Sequence, residues 1–251
     1  MKIAFRTDSG LVRENNEDWY IVDEELQLFL VADGVGGHQA GEVASKLGSK
    51  TIQDIIKNKL SVIQPGEDIE SILKEAIDAA HTNITSAALK DPDLSGMAST
   101  VVLGLYYEND LYIAHVGDSR AYLINFMGIT SLKEDHSLVA NLVKRGKITP
   151  QEARKHKMRN IITQCLGSND YHGPEIRKIA LGKSDIILLC SDGLTDMLED
   201  EEMRCIVMEN KHDLHGSVNK MIEMAYDRGG IDNITLILVE KSDNEMRSIL
   251  P

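Results

Sequence analysis

Six short runs of this sequence are apolar at almost every position: Leu28–Ala32, Thr100–Tyr107, Leu111–Val116, Ala121–Asn125, Asp185–Cys190 and Ile234–Val239. Each is far shorter than the ~20 residues that cross a membrane as a helix, so they read as buried strands. Glu108-Asn109-Asp110 is a hairpin turn between two of them, and the stretch 98–125 reads as an antiparallel meander. Two helices interrupt the strands. In 39–60, Ala40, Val43, Ala44, Leu47, Ile52, Ile55, Ile56 and Leu60 form one apolar face; in 68–89, Ile69, Ile72, Leu73, Ala76, Ile77, Ala80, Ile84 and Ala87 do the same. A turn around Gln64-Pro65-Gly66 joins them, and Pro92 stops the second. Strands clustered between helical blocks predict an α+β layered sandwich rather than alternating βαβ units. With no repeat, linker or low-complexity tract in 251 residues, a single domain is expected.

The aspartates at the strand ends carry the chemistry. Asp33 follows the first run and precedes Gly34; Asp118 stands beside Gly117 after the third; Asp192 precedes Gly193 after the fifth; Asp232 follows Gly229-Gly230 and opens the last. Any one of these is an ordinary turn residue. Four at equivalent places are a different matter, because strand ends of packed sheets converge, and converging carboxylates repel unless a cation lies among them. Carboxylate and carbonyl oxygens select hard cations such as Mg²⁺, Mn²⁺ or Ca²⁺. The net charge of −13 fits cation binding and a solvated acidic surface equally, but it argues against nucleic acid as a partner.

Other chemistries lack their residues. There is no H-E-x-x-H, no paired Cys/His spacing for zinc, no phosphate-binding loop with G-K-[ST] and no D-x-D-x-D-G calcium loop. His212 and His215 read as surface residues. No cysteine has an arginine six residues on, and G-V-G-G at 34–37 does not continue as a dinucleotide fingerprint. Cys165, Cys190 and Cys205 are scattered, and no secretory leader is read, so a reduced cytoplasm is expected.

The motifs as a set resemble the bacterial branch of the metal-dependent serine/threonine protein phosphatases of type 2C, the PPM family. They are T-D-S-G-L-V-R-E-N-N-E-D at 7–18, V-A-D-G-V-G-G-H-Q-A-G-E-V-A-S at 31–45, G-M-A-S-T at 96–100, A-H-V-G-D-S-R-A-Y at 114–122, D-H-S-L-V at 135–139, R-N-I-I-T-Q-C-L-G at 159–167, L-C-S-D-G-L-T-D at 189–196 and G-G-I-D-N-I-T at 229–235. They run through nearly the whole chain in the family's order. The resemblance implies an α/β/β/α sandwich of two antiparallel sheets flanked by helices, and hydrolysis of phosphoserine and phosphothreonine on proteins. It implies two Mg²⁺ or Mn²⁺ ions, bridged by Asp33, with the Gly34 carbonyl, Asp192 and Asp232 as further ligands. Asp118 would hold a third, weaker ion; Glu17 and Asp18 would steady bound waters; Arg13 would face the substrate phosphate. Phosphorylated proteins, and the Ser/Thr kinase that makes them, are the implied partners of a monomer.

His38 and His136 both fall in matching motifs as candidates for the general acid. The histidine that eukaryotic members carry two residues after the bridging aspartate is Val35 here. Ala98 replaces a glycine of the family pattern and Lys157 a proline. The segment resembling the family's flap, about 136–160, is basic: across 141–160, Lys144, Arg145, Lys147, Arg154, Lys155, Lys157 and Arg159 face only Glu152. Contact with phosphoprotein and an ordinary solvated charge run are both open readings of it. Small phosphoesters as substrate, or a scaffold without turnover, are the rival functions.

Overall fold

The computed structural model describes residues 1–36, 40–63, 68–182 and 184–241. The turn expected around Gln64-Pro65-Gly66 and the candidate His38 lie outside them.

The elements in chain order are β1 (Lys2–Asp8), β2 (Asp18–Asp23), β3 (Leu28–Val35), α1 (Ala40–Leu60), α2 (Ile69–Lys90), β4 (Ala98–Ser99), β5 (Val101–Tyr107), β6 (Asp110–Val116), β7 (Arg120–Asn125) and β8 (Gly128–Ser131). Then follow α3 (Leu138–Lys144), α4 (Pro150–Arg154), β9 (Glu175–Ile179), β10 (Ile186–Cys190), α5 (Asp192–Thr195), α6 (Asp200–Glu209), α7 (Leu214–Asp227) and β11 (Ile234–Glu240). One sheet has the order β1-β11-β10-β7-β8, the other β2-β3-β5-β6-β9 with β4 on β3. The strand pairs are antiparallel.

The central strands are apolar on both faces because each face meets a different layer. Leu28, Leu30 and Ala32 pack with Ile52, Ile56, Leu73 and Ile77 of α1 and α2. Their neighbours Phe29 and Val31 turn inward to Ile187, Leu189, Ile237 and Val239 of the other sheet. Ile186, Leu188, Leu236 and Leu238 pack outward on Met203, Val218, Met221 and Ile222 of α6 and α7. Three apolar slabs thus make four layers: helices, sheet, sheet, helices. The strands missing from the sequence prediction are the shorter or edge ones. β9 reads Glu-Ile-Arg-Lys-Ile with two residues half-buried and three exposed, so its composition carries little strand signal.

Helix ends follow local chemistry. Asp68 caps α2 by accepting from Glu70 N, and Asp91 N–H closes its other end on Ala87 O just before Pro92. Thr149 and Glu152 form a reciprocal capping box around Pro150, which makes the five-residue α4 possible.

α3 and α4 form an excursion between β8 and β9, and its basic residues divide into two groups. Arg154 donates to Thr195 O at 2.9 Å and Leu198 O at 2.8 Å, and pairs with Glu199 at 3.1 Å. Arg159 meets Asp196 at 3.3 Å and Lys144 meets Glu134 at 2.7 Å. Those three tie the excursion to the body. Arg145, Lys147, Lys155 and Lys157 are exposed and have no ion pair among the described residues.

Candidate metal centre

Strand parity aims the first two carboxylates. Asp33 lies two residues past Val31, on the face turned towards the other sheet, and Asp18 is its register partner across β2 and β3. Both therefore point into the gap between the sheets at one end of the sandwich. The opposite sheet closes that end with Ser191 and Thr235. Thr235 N donates to Ser191 Oγ at 3.0 Å, and Ser191 Oγ donates to Asp18 Oδ2 at 2.8 Å. Thr100 Oγ1 accepts from Asp33 N at 3.0 Å, and Thr100 N donates to Asp33 O at 2.8 Å.

Gly34 is required by close approach. A Cβ there would sit 2.1 Å from Gly41 O of α1. Its N–H donates to Glu17 O, which also accepts from Ser45 Oγ at 2.7 Å, while Glu17 N donates to Asn233 Oδ1 at 2.8 Å. Glu17 thus sits at a junction of β2, α1 and the loop before β11. Asp118 follows Gly117, whose φ of +104° a side chain would rarely adopt. Asp192 is the first residue of α5, and Asp232 sits just ahead of β11. Arg13, about half exposed, holds Asp232 Oδ2 at 2.8 Å.

Electrostatics show that the carboxylates share one space. Burial lifts Asp33 well above the usual carboxylate range, and the charges of Asp18, Asp192, Asp118 and Asp232 lift it further. Burial lifts Asp192 likewise, with Asp118, Asp196, Asp232 and Asp18 adding to it. Asp18 is pushed up to about 7, mainly by burial and against its hydrogen bonds from Thr235 and Ser191. Asp118 rises to about 6 by burial, opposed by the Lys133 ammonium. Burial also raises Glu17, with Arg13 opposing. Asp18 Oδ1, Asp118 Oδ1 and Asp192 Oδ1 are buried and have no hydrogen-bond partner. Orphaned carboxylate oxygens in one acidic gap, with no histidine or thiol among them, fit hard divalent cations.

A second cluster does not fit a metal. His115, His136 and Glu175 bring ligand atoms within 4.8 Å of one another. Gly117 N–H, however, donates to His136 Nδ1 at 3.1 Å, so the proton of a neutral ring is on Nε2, which lies 3.4 Å from Glu175 Oε1. His115 Nε2 lies 3.0 Å from Glu134 O and must donate to it. Of the ring nitrogens, only His115 Nδ1 keeps a free lone pair, so the two imidazoles cannot both be offered to one ion without breaking these bonds. His136 lies on the wall of a cavity of about 740 Å³ that runs from Asp118 and Asp192 to Arg154 and Arg159 under the α3–α4 excursion.

The structure brings together Asp18, Asp33, Asp118, Asp192 and Asp232, with Glu17 and Arg13 on the Asp232 side. Sequence reading did not single out Asp196, which raises Asp192 and holds Arg159. Its place at the end of L-C-S-D-G-L-T-D was the available signal. Nor did it find Ser191, Thr100 or Lys133, whose importance lies in tertiary contacts.

A family model described as Protein phosphatase 2C matches residues 8–229. The serine/threonine phosphatase stp of Listeria monocytogenes is 37% identical over 244 residues, covering 96% of each chain. The crystal structure of the Mycobacterium tuberculosis serine/threonine phosphatase PstP/Ppp superposes with a TM-score of 0.86 at 35% identity, covering 96% of this chain and 99% of that one. The catalytic domain of PstP in complex with 2 manganese ions gives a TM-score of 0.83 at 34% identity, covering 94% and 96%.

Proposed function

Because this chain belongs to the protein phosphatase 2C family and is a serine/threonine protein phosphatase, we propose that it works at a binuclear Mg²⁺ or Mn²⁺ centre held between its two sheets. Asp33, the Gly34 carbonyl, Asp192 and Asp232 would hold the ions and Asp118 a weaker third one. Glu17 and Asp18 would steady waters there. The observation that supports this most directly is the set of buried, unpartnered oxygens on Asp18, Asp118 and Asp192. Divalent ions bound there supply a lowered pKa for water and positive charge opposite the phosphoryl oxygens. Arg13 presents a planar fork to the phosphate: among the described residues Asp232 engages one of its nitrogens, and about half of the side chain is exposed. Substrate specificity then lies in the surroundings of the phosphate, including the flap over about 136–160. A single-domain monomer in the cytoplasm, reversing a Ser/Thr kinase, completes the reading.

The decisive assay is phosphate release from a phosphothreonine peptide with Mn²⁺, with Mg²⁺ and with chelator, beside p-nitrophenyl phosphate and sugar phosphates. Peptide turnover should be abolished by chelator and restored by either ion. Full turnover in metal-free enzyme would overturn the two-ion reading, and a preference for sugar phosphates would overturn the protein substrate.

The flap prediction follows from the division of its cations. Reversing Arg145 and Lys147 to glutamate should raise KM for a phosphoprotein several-fold and leave p-nitrophenyl phosphate unchanged, because neither residue anchors the fold. The loss should shrink with salt, since exposed charges are screened beyond ~10 Å at about 0.1 M. Equal losses on both substrates would assign these cations to shaping the metal site instead.

A further inference from the structure

Among the described residues, one lysine is buried. Lys133 lies between β8 and α3 with no exposed side-chain surface. Its Nζ donates to Gly117 O at 2.7 Å and lies 3.2 Å from Asp135 Oδ1. Asp135 is shared: its Oδ2 also accepts from Arg120 Nε at 2.8 Å, with Arg120 Nη2 equally close. Two cations around one carboxylate leave one positive charge in excess. The next acid along, Asp200, is reached only through Tyr122 OH, which accepts from Arg120 at 3.1 Å and donates to Asp200 Oδ1 at 3.2 Å. The excess charge therefore stands against the Gly117 carbonyl, one peptide bond from Asp118, whose Oδ1 has no partner.

We propose that Lys133 is a built-in cation of the Asp118 site: its ammonium supplies part of the positive charge that Asp118 would otherwise draw from a divalent ion, and so makes the ion at Asp118 the weakest bound of the set. This rests on the reading of Asp118 as an ion ligand. The interaction is effective because both groups are buried, where solvent and salt screen little. The Gly117 peptide is held from both sides, by Lys133 at its carbonyl and by His136 Nδ1 at its N–H, which fixes the backbone on which Asp118 stands. Capping the Gly117 carbonyl requires no charge, since a neutral donor would do, and Asp135 is already paired by Arg120. Lys133 is thus a positioning residue that carries a charge, not a group that touches substrate.

Calorimetric titration of the apo protein with Mn²⁺ alone tests this. Lys133→Gln keeps a donor and removes the charge, and Lys133→Met removes both while keeping an unbranched chain one atom shorter. Both variants should tighten the weakest Mn²⁺ step by roughly tenfold or more, leave the tighter steps within about twofold, and lower the Mn²⁺ concentration for half-maximal activity. A purely structural role for Lys133 would loosen every step or none. If Lys133→Gln does not fold, as judged by its melting transition, Lys133→Met carries the same expectation. An unchanged or weakened last step in a folded variant overturns the inference. Asp118→Asn separates the two readings. Loss of the weakest step alone supports Asp118 as its ligand. A full set of unaltered steps in Asp118→Asn overturns that reading and this inference with it.

Discussion

The Asp192→Asn variant is expected to turn over a phosphothreonine peptide on the order of 10³-fold more slowly than the parent at saturating Mn²⁺, yet to melt at a higher temperature when both proteins are metal-free at pH 8. The two effects have one origin. Asp192 stands at the start of α5 with its Oδ1 buried and unpartnered, among Asp118, Asp196, Asp232 and Asp18. With ions present, its charge is what the site needs. Without them, the fold must either bury that charge among others of the same sign or bind a proton that the unfolded chain would release. An amide removes this cost and fits the same space. As pH falls towards the unfolded value near 4, the unfolded chain takes up the same proton and the difference in melting temperature should shrink. A residue that simply supported the fold would lose activity and stability together at every pH. Near-normal turnover by Asp192→Asn would remove it from the ligand set.

How much of this was legible beforehand depends on where the information resides. The central strands were visible because β3, β5, β6, β10 and β11 are buried on both faces and hence apolar throughout. That same completeness hid which face meets which layer: nothing in Ile-Ile-Leu-Leu-Cys at 186–190 says that Ile187 faces a sheet and Ile186 a helix layer. Parity could be assigned only once the partner strands were known, and it is parity that turns Asp18 and Asp33 into the same gap. β2 went unread for the opposite reason. Asp-Trp-Tyr-Ile-Val-Asp begins and ends with charge, and the first of those charges points into the gap between the sheets opposite Asp33. The strand-end aspartates were readable because Asp beside Gly is a local signature. Lys133 was not: its meaning depends on Gly117 and Asp135, one of them sixteen residues away, and no spacing rule connects them. The flap lies between these cases. Its charge is plain in the sequence, but only the partners of Arg154, Arg159 and Lys144 show that those three anchor the flap.

Stripped of divalent ions, the protein is expected to lose stability as pH rises above about 6.5, and Mn²⁺ should abolish that loss. In an unfolded chain an aspartate titrates near 4. Asp18 titrates in the fold at about 7, and Asp33 and Asp192 are also held well above the ordinary range, all chiefly by burial. A group that holds its proton more tightly in the fold stabilises the fold fully below its unfolded pKa. That stabilisation disappears as pH climbs through the folded value. Each unit of pH over which a group keeps its proton in the fold but not in the unfolded chain costs about 1.4 kcal/mol; for Asp18 that window closes at about 7, so loss beyond it reads Asp33 and Asp192. The window is set by the groups that oppose the trend. Burial holds His115 down at about 3 and lowers His136 and His81, so their contribution grows with pH, but it is complete once the unfolded histidines have lost their protons near 6.5. The lowered carboxyls of Asp8, Asp135 and Glu202 change the balance only below about pH 4.5. The thiols of half-buried Cys165 and buried Cys190, raised by desolvation to about 11 and about 12, enter once unfolded cysteines ionise above about 8. Between those limits the aspartate cluster acts nearly alone. Melting curves in chelator at half-unit steps from pH 6.5 to 8, repeated with Mn²⁺, therefore read the cluster directly. A flat melting temperature in chelator would mean that the carboxylates are not forced together in the apo fold, and the argument for a metal centre from their repulsion would fail with it.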